Sequence, residues 1–534
     1  MISEALLKFF LEPGSYPSKP EKTEHIQTHI SHVFIADPYV YKIKKHVDLG
    51  FLDFSTLEKR KYYCEKEIEL NSRLCSEIYL EVVPVFKQES RYSLENDMQN
   101  EDDIVEYAVK MKRLKKENFL IAFVNKHTLT KEHIDKVCEK LAPFYLNQES
   151  GDKVLEYGKP EKIKENTGEN FSQTEQCIGN TITKRAFKSV QQFTNTFFKR
   201  NRKLLMQRIS EKKIVDGHGD LHLQHINIDG ANVCIYDCIE FNDRFRFQDQ
   251  AADLAFLAMD LDYNRLFDYS RYFIKIMADR LDDDDMYGVI DFYKCYRAYV
   301  RGKVKSMEIN DTDESEEERI IAGKKAVRYF KLAHKYALFG SKPVLIIFMG
   351  PVAGGKSTLA EKLSDDLELE HFMTDKIRKQ MAGQPETERS SQAKRKKIYN
   401  REMSEKTYEK MIRSGFDEIE KGKAVVLDGT FSKSAMRMDL VKECEAGEMD
   451  FIFIEVSAPG EIRKKRLKQR ENENGIISDA RLEDMGELDR KYESGSDLPA
   501  NNFIRIDTSV SVKQSLEDLY SALIERHLTS LQPE

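Results

Sequence analysis

The stretch PVLIIFMGPVAGGKSTLAEKL, Pro343 to Leu363, leaves the chain the least freedom. An unbroken apolar run ends at Gly350, the GxxxxGKS spacing follows through Gly355, Lys356 and Ser357, and an amphipathic pattern comes next. That order predicts a buried strand, a tight loop and a helix, which together require an α/β domain with a parallel sheet. Gly350, Gly354 and Gly355 let successive backbone N–H groups curl around a phosphate, and the helix N-terminus adds its dipole. Lys356 is expected to reach the terminal phosphates of ATP. Ser357 offers a hydroxyl to Mg2+, with Thr358 beside it in the same cradle.

Other segments supply partners for that loop. KAVVLDGT reads as a second apolar strand ending in Asp428, where a carboxylate can hold or orient the Mg2+ shell. In HFMTDKIRKQMAG, Asp375 could accept the proton of a substrate hydroxyl or simply cap a helix, and Arg378 could grip phosphate or substrate. Arg463, Arg466 and Arg470 recur at i, i+3 and i+7, one helical face suited to a lid that neutralises charge as the γ-phosphoryl leaves. A solvated basic face has the same spacing. From about Lys342 to the end, these motifs resemble the small P-loop kinases related to polynucleotide, gluconate and shikimate kinases, a resemblance that implies fold and ATP but leaves the acceptor open.

A second phosphate-handling pattern lies upstream. HGDLHLQHIN places Asp220 in a short loop, INIDGANVCIYD reads as a hairpin, and Asp237 ends it. Two carboxylates so placed suit phosphoryl transfer, one orienting the acceptor hydroxyl and the other holding Mg2+. In YVYKIKK, Lys42 and Lys44 fall on one face of a strand, so spacing does not choose between them. His218 is expected to brace its loop through a ring N–H, and Asp249 and Asp253 to cap and anchor a helix.

This half resembles the aminoglycoside phosphotransferase family, and VYKIKKHVDLGFLDFSTLEKR, HGDLHLQHI, DCIEFNDRFR, ADLAFLAMDLD and YRAYVRGKVK look like one bacterial group within it. That group is commonly fused to a C-terminal P-loop kinase, and its members are usually labelled bifunctional aminoglycoside phosphotransferase/ATP-binding proteins. The resemblance implies a bilobal, protein-kinase-like α+β domain over 1–340, small lobe about 1–110 and large lobe about 111–340, then a P-loop domain over 341–534. It makes Asp220 the catalytic base, Asp237 a metal ligand, Lys42 the phosphate-pairing lysine and Glu67, over Glu65 and Glu69, its partner. The chain departs from the pattern twice. HIQTHISHVFIADPYVYK lacks the glycine-rich loop, though amides near Thr28 to Ser31 could approach a phosphate, and the metal-binding asparagine expected five residues after Asp220 is His225. Asn227 is a candidate substitute, and His225 is expected to hydrogen-bond or face a phosphate rather than ligate the metal, since Mg2+ prefers oxygen donors.

At 534 residues the chain is too long for a single core. A net charge of -7 does not favour nucleic acid as a partner, and the two kinase-like patterns imply small hydroxylated acceptors. The first residues read as a helix ended by Pro13-Gly14 rather than a signal peptide, and no apolar run is long enough for a bilayer. Eight cysteines without a CxxC pair suggest buried thiols, Cys234 and Cys238 among them, in a reducing cytoplasm. The polar stretch Asn147 to Asn170 reads as a long surface excursion. Two function classes follow: a phosphotransferase with two ATP·Mg2+ sites, or a degenerate upstream kinase that binds a metabolite and regulates the P-loop half. A P-loop kinase acting on nucleic-acid ends is a third reading.

Overall fold

The computed structural model describes residues 2–89, 91–95, 101–148, 150–311, 315–387, 390–471 and 477–531. The chain divides into two compact units, Met1–Asn166 with Asn201–Lys294, and Thr167–Arg200 with Cys295–Glu534. This division does not fall at the join expected at residue 340. The helices Lys184–Arg200 and Glu316–Phe339 belong with the phosphate-loop sequence: Arg185 pairs with Asp366 at 2.8 Å, and the C-terminal helix Val512–Ser530 packs on both. Apolar periodicity shows that a helix has a buried face, not which neighbour that face meets.

In the first unit, β1 (Glu24–Gln27), β2 (Ser31–Ala36), β3 (Tyr39–Lys44), β4 (Tyr79–Gln88), β5 (Arg91–Ser93) and β6 (Ile104–Lys112) form a six-stranded antiparallel sheet in the order β1-β2-β3-β6-β4-β5. Alternation on β3 does two jobs at once. Tyr41 and Ile43 enter a core with Phe10, Phe34 and Val85, while Lys42 and Lys44 face the other way. That opposite face meets the helix Leu57–Cys75, whose N-cap Thr56 accepts the Lys59 N–H, a contact worth about 1 kcal/mol.

Further along, β7 (Ile214–Asp216) pairs with β10 (Phe247–Asp249), and β8 (Ile226–Asp229) forms a hairpin with β9 (Asn232–Ile235). Below them runs the buried helix Gln250–Tyr263, capped by Asp249, which also receives the wholly buried Arg208. Cys234 is bonded to Cys75, correcting the expectation of a free thiol there, whereas Cys238 is a free buried cysteine whose thiol burial pushes up to about 12. The expected excursion at 147–170 is also corrected, because it folds into helices Asp152–Leu155 and Pro160–Thr174. Pro160 stands at the first helical position, where a missing N–H costs nothing. Gly168 costs about 1 kcal/mol, offset by the burial of Phe171 and Thr174 against Tyr299.

The second unit is built on a five-stranded parallel sheet. Its strands are β11 (Val344–Met349), β12 (Glu370–Met373), β13 (Val425–Asp428), β14 (Asp450–Ser457) and β15 (Phe503–Asp507), in the order β12-β13-β11-β14-β15. Every residue of β11 is buried, as a central parallel strand covered on both faces requires. The phosphate loop leaves its C-terminal end, and Asp428 ends its neighbour β13. No helix among the described residues is long and apolar enough to cross a membrane.

Candidate active sites

In the first unit, residues far apart in sequence close on one ammonium. Lys42 Nζ donates to Glu67 at 2.8 Å and to Asp237 at 2.5 Å. Lys44 donates to the other Glu67 oxygen at 2.8 Å and also to Glu240. Thus both lysines that spacing left open meet Glu67, but only Lys42 reaches Asp237. Burial pushes the Glu67 carboxyl up, and Lys42 and Lys44 outweigh it, leaving it below its usual value. The same contest, with Lys42 as the leading opposing charge, holds Asp237 well below the carboxylate range. Glu240 ends the other way: burial outweighs Lys44 and raises it. Asp237 itself sits at φ 61, a left-handed conformation, with its N–H donated to the Tyr79 hydroxyl at 3.2 Å.

The loop carrying Asp220 is fixed from beneath. Asp253, fully buried, accepts the N–H groups of His218 at 2.7 Å and Gly219 at 2.9 Å. Gly219 has φ +84, and a Cβ there would stand 2.9 Å from the Phe245 carbonyl oxygen. His218 donates from Nε2 to the Tyr236 carbonyl at 2.9 Å and accepts the Asp220 N–H at Nδ1. Burial drops its pKa to about 4, so the ring is neutral and serves as a brace. Asp220 remains part-exposed, facing His222 Nε2 at 3.4 Å and His225 Nδ1 at 3.5 Å. Asn227 does not substitute for the missing asparagine: its amide donates to the Lys115 carbonyl at 3.1 Å. The β1–β2 turn is closed by its own Thr28 N–H to Ser31 carbonyl bond.

In the second unit, the glycine spacing is a steric requirement. A Cβ on Gly350, which has φ +139, would lie 2.2 Å from the Val456 carbonyl oxygen, and one on Gly354 would lie 2.6 Å from the same atom. Gly355 then opens the helix Lys356–Leu367 in a left-handed conformation, with Ser357 and Thr358 in its first turn. Lys356 donates to the Pro351 carbonyl at 3.0 Å, and burial depresses its pKa against the opposing charges of Asp428 and Asp375. Asp428 is buried, with His371 Nε2 3.8 Å from it. Beside the loop, a cavity of about 190 Å3 is lined by Gly355, Thr358, Arg466, Arg470 and Thr508.

The arginine stripe divides its roles. Arg463 is pinned by two 2.7 Å bonds to Asp489, so it holds the helix Gly460–Glu471 in place. Arg466 lines the cavity but donates to the Ala353 carbonyl and to Thr508, while Arg470 lines it as well. Asp375 is not the helix cap, which is Met373 without a side-chain bond. Instead Asp375 accepts from Arg378 at 3.1 Å and lies 3.3 Å from the Tyr399 hydroxyl, with the Arg378 guanidinium 4.4 Å above the Tyr399 ring.

Sequence reasoning missed Glu240, His222, Tyr79 and Tyr399. Glu240 and His222 lay inside the quoted motifs and could have been weighed, whereas Tyr79 and Tyr399 carry no local signal. For both sites, the donor sets suit a divalent ion, Asp220, His225 and Asp237 in one unit and Ser357 with Asp428 in the other.

The family described as an AAA domain matches residues 345–494, so the phosphate loop and the arginine helix both fall inside it. Uncharacterized proteins of Mycobacterium tuberculosis and Mycobacterium bovis are each 27% identical over 417 residues, covering 77% of this chain and 79% of theirs. Among solved structures, a gluconokinase from Sinorhizobium meliloti 1021 is 14% identical, covering 35% of this chain and 95% of its own with a TM-score of 0.25. Chaetomium thermophilum Kti12 in complex with ADP-AlF3 is also 14% identical, covering 34% of this chain and 98% of its own with a TM-score of 0.26.

Proposed function

We propose that this chain is an ATP-dependent phosphotransferase with two nucleotide sites, an aminoglycoside phosphotransferase-like kinase upstream and a P-loop kinase downstream, each acting on a small hydroxylated acceptor. The observation that carries the upstream half is Lys42 bonded to both Glu67 and Asp237, beside a loop that presents Asp220. Lys42 is then the group that meets the α- and β-phosphates, and Asp237 binds the divalent ion that offsets triphosphate charge. Asp220 orients the acceptor hydroxyl and takes its proton as the new O–P bond forms and the bond to ADP breaks. Downstream, the curled amides from Gly350 to Gly355 and Lys356 hold the phosphates, Ser357 and Asp428 hold Mg2+, and Arg470 meets the leaving phosphoryl. Asp375 has the corresponding place toward the acceptor.

The test is phosphoryl transfer from labelled ATP into a metabolite extract, comparing Asp220→Ala with Lys356→Ala. Two products, each lost in one variant, support the reading, and a product set unchanged by both substitutions removes it. The regulatory reading of the upstream unit draws support from the glycine-free Thr28 to Ser31 turn. It requires that Asp220→Ala alter the rate of the Lys356-dependent product while deleting none.

A further inference from the structure

Asp220, His222 and His225 bring ligand-capable atoms within 4.8 Å of one another, and Asp237 stands at the far nitrogen of the His225 ring. Distance alone makes all three equivalent. Hydrogen bonding sorts them. His222 Nδ1 accepts the Gln224 N–H at 3.3 Å, so the neutral ring keeps its proton on Nε2, which faces Asp220 Oδ2 at 3.4 Å. In that tautomer His222 steadies the Asp220 carboxylate and has no lone pair to give a metal.

His225 is set the opposite way. Its Nδ1 lies 2.9 Å from the Asp220 carbonyl oxygen, an atom that only accepts, so Nδ1 carries the proton. With its proton on Nδ1, the ring directs Nε2 at Asp237 Oδ2, 3.5 Å away. A cation placed between that nitrogen and the carboxylate, a proton or a metal ion, is held by both. The other Asp237 oxygen is bonded to Lys42, which leaves Oδ2 for this role. Ring orientation is held by the carbonyl bond and by the His222 ring, 3.8 Å away centroid to centroid. A backbone carbonyl on the distal N–H is the usual support of a metal-binding imidazole.

We propose that His225 is a metal ligand through Nε2 and, with Asp237, makes the upstream site selective for a nitrogen-accepting first-row divalent ion over Mg2+. The proposal rests on the reading of this cleft as a nucleotide site. Mg2+ takes oxygen donors and keeps its water, whereas imidazole nitrogen suits the later first-row ions and is tolerated by Mn2+. His225 thus becomes the residue that decides which ion accompanies the triphosphate, a choice an amide oxygen would leave to Mg2+.

Mn2+ serves as the probe because its unpaired electrons report bound nitrogen directly. Full-length protein carrying Lys356→Ala, grown with 15N-histidine, is loaded with Mn2+ and adenylyl imidodiphosphate and studied by electron spin-echo spectroscopy. The expected result is a 15N coupling from histidine that disappears in His225→Asn while Mn2+ stays bound. In competition, the preference for Mn2+ over Mg2+ should fall about tenfold in that variant. If Mn2+ and nucleotide bind with no histidine coupling, or the coupling persists in His225→Asn, the metal role of His225 is overturned and the nucleotide site stands. If the Lys356→Ala chain binds no metal–nucleotide complex at all, the upstream reading falls with it. Isotopic labelling leaves the chain unchanged, so the first measurement does not depend on any substitution at residue 225.

Discussion

Lys42 Nζ stands 2.5 Å from Asp237 Oδ1, joining a sheet strand to a hairpin end 195 residues later in the sequence. Its neighbour on the same strand face, Lys44, is turned to Glu240 instead. The two ammonium groups differ in what they leave behind when removed.

Lys42→Met leaves Glu67 with Lys44 and leaves an Asp237 side chain that is 36% exposed, so water can meet the loss. Upstream product formation should drop about 100-fold or more while the fold is retained. Lys44→Met strands Glu240, whose side chain is 4% exposed, without its bonded counter-charge. That variant should lose about 3 kcal/mol of stability. Urea unfolding of both variants beside their rates checks the pair, and equal stability losses would contradict this division of roles.

Gly350→Ala should disable the phosphate loop by sterics alone. The added methyl would lie 2.2 Å from a backbone oxygen that no rotamer can move aside, at a φ of +139 that side chains avoid. We expect a loss of at least about 2 kcal/mol and no measurable downstream nucleotide binding. Unfolding curves and ATP titration of an upstream-silenced chain would show it. Normal ATP binding by this variant would mean the loop adopts another shape when loaded.

Asp375 and Tyr399 share one hydrogen bond at 3.3 Å yet should respond differently. If Asp375 takes the acceptor proton, Asp375→Asn lowers kcat of the Lys356-dependent product by about 100-fold or more with little change in KM. Tyr399→Phe removes only an orienting contact and should cost about tenfold or less. A large KM effect with kcat preserved in Asp375→Asn would make that residue a binding group instead.

Much of this is legible in the sequence because the information is local. Gly350, Gly355 and Lys356 sit within a few residues, and the contacts that demand glycine follow from the loop itself. Asp220 and Asp237 flank a short hairpin, so period-two alternation and turn residues sufficed to place them. What the chain could not reveal lies in long-range packing. Tyr79 reaches the Asp237 N–H across 158 residues, and Arg185 meets Asp366 across 181. Asn227 shows a finer failure: strand alternation predicted the same side as His225, but His225 ends a 3-10 turn, Leu223–His225, so the rule did not span the two.

His334 should make the second unit acid-sensitive. It is buried beside the Tyr520 ring, and neither ring nitrogen has a hydrogen-bond partner among the described residues. Burial, partly offset by Asp366 and reinforced by Arg185, drops its pKa from 6.5 to about 4. The folded value lies below the unfolded one, so protons bind the unfolded chain more tightly. Stability from this group is therefore full above pH 6.5, falls as the pH drops toward 4, and levels off beneath that. At pH 5 the loss relative to pH 8 is about 2 kcal/mol. His334→Leu keeps an apolar side chain in the same space and should remove that part of the pH dependence. Urea midpoints of the native chain and the variant at both pH values measure the difference. Parallel pH profiles would show that the ring gains a partner or water when protonated, and that burial does not keep it neutral.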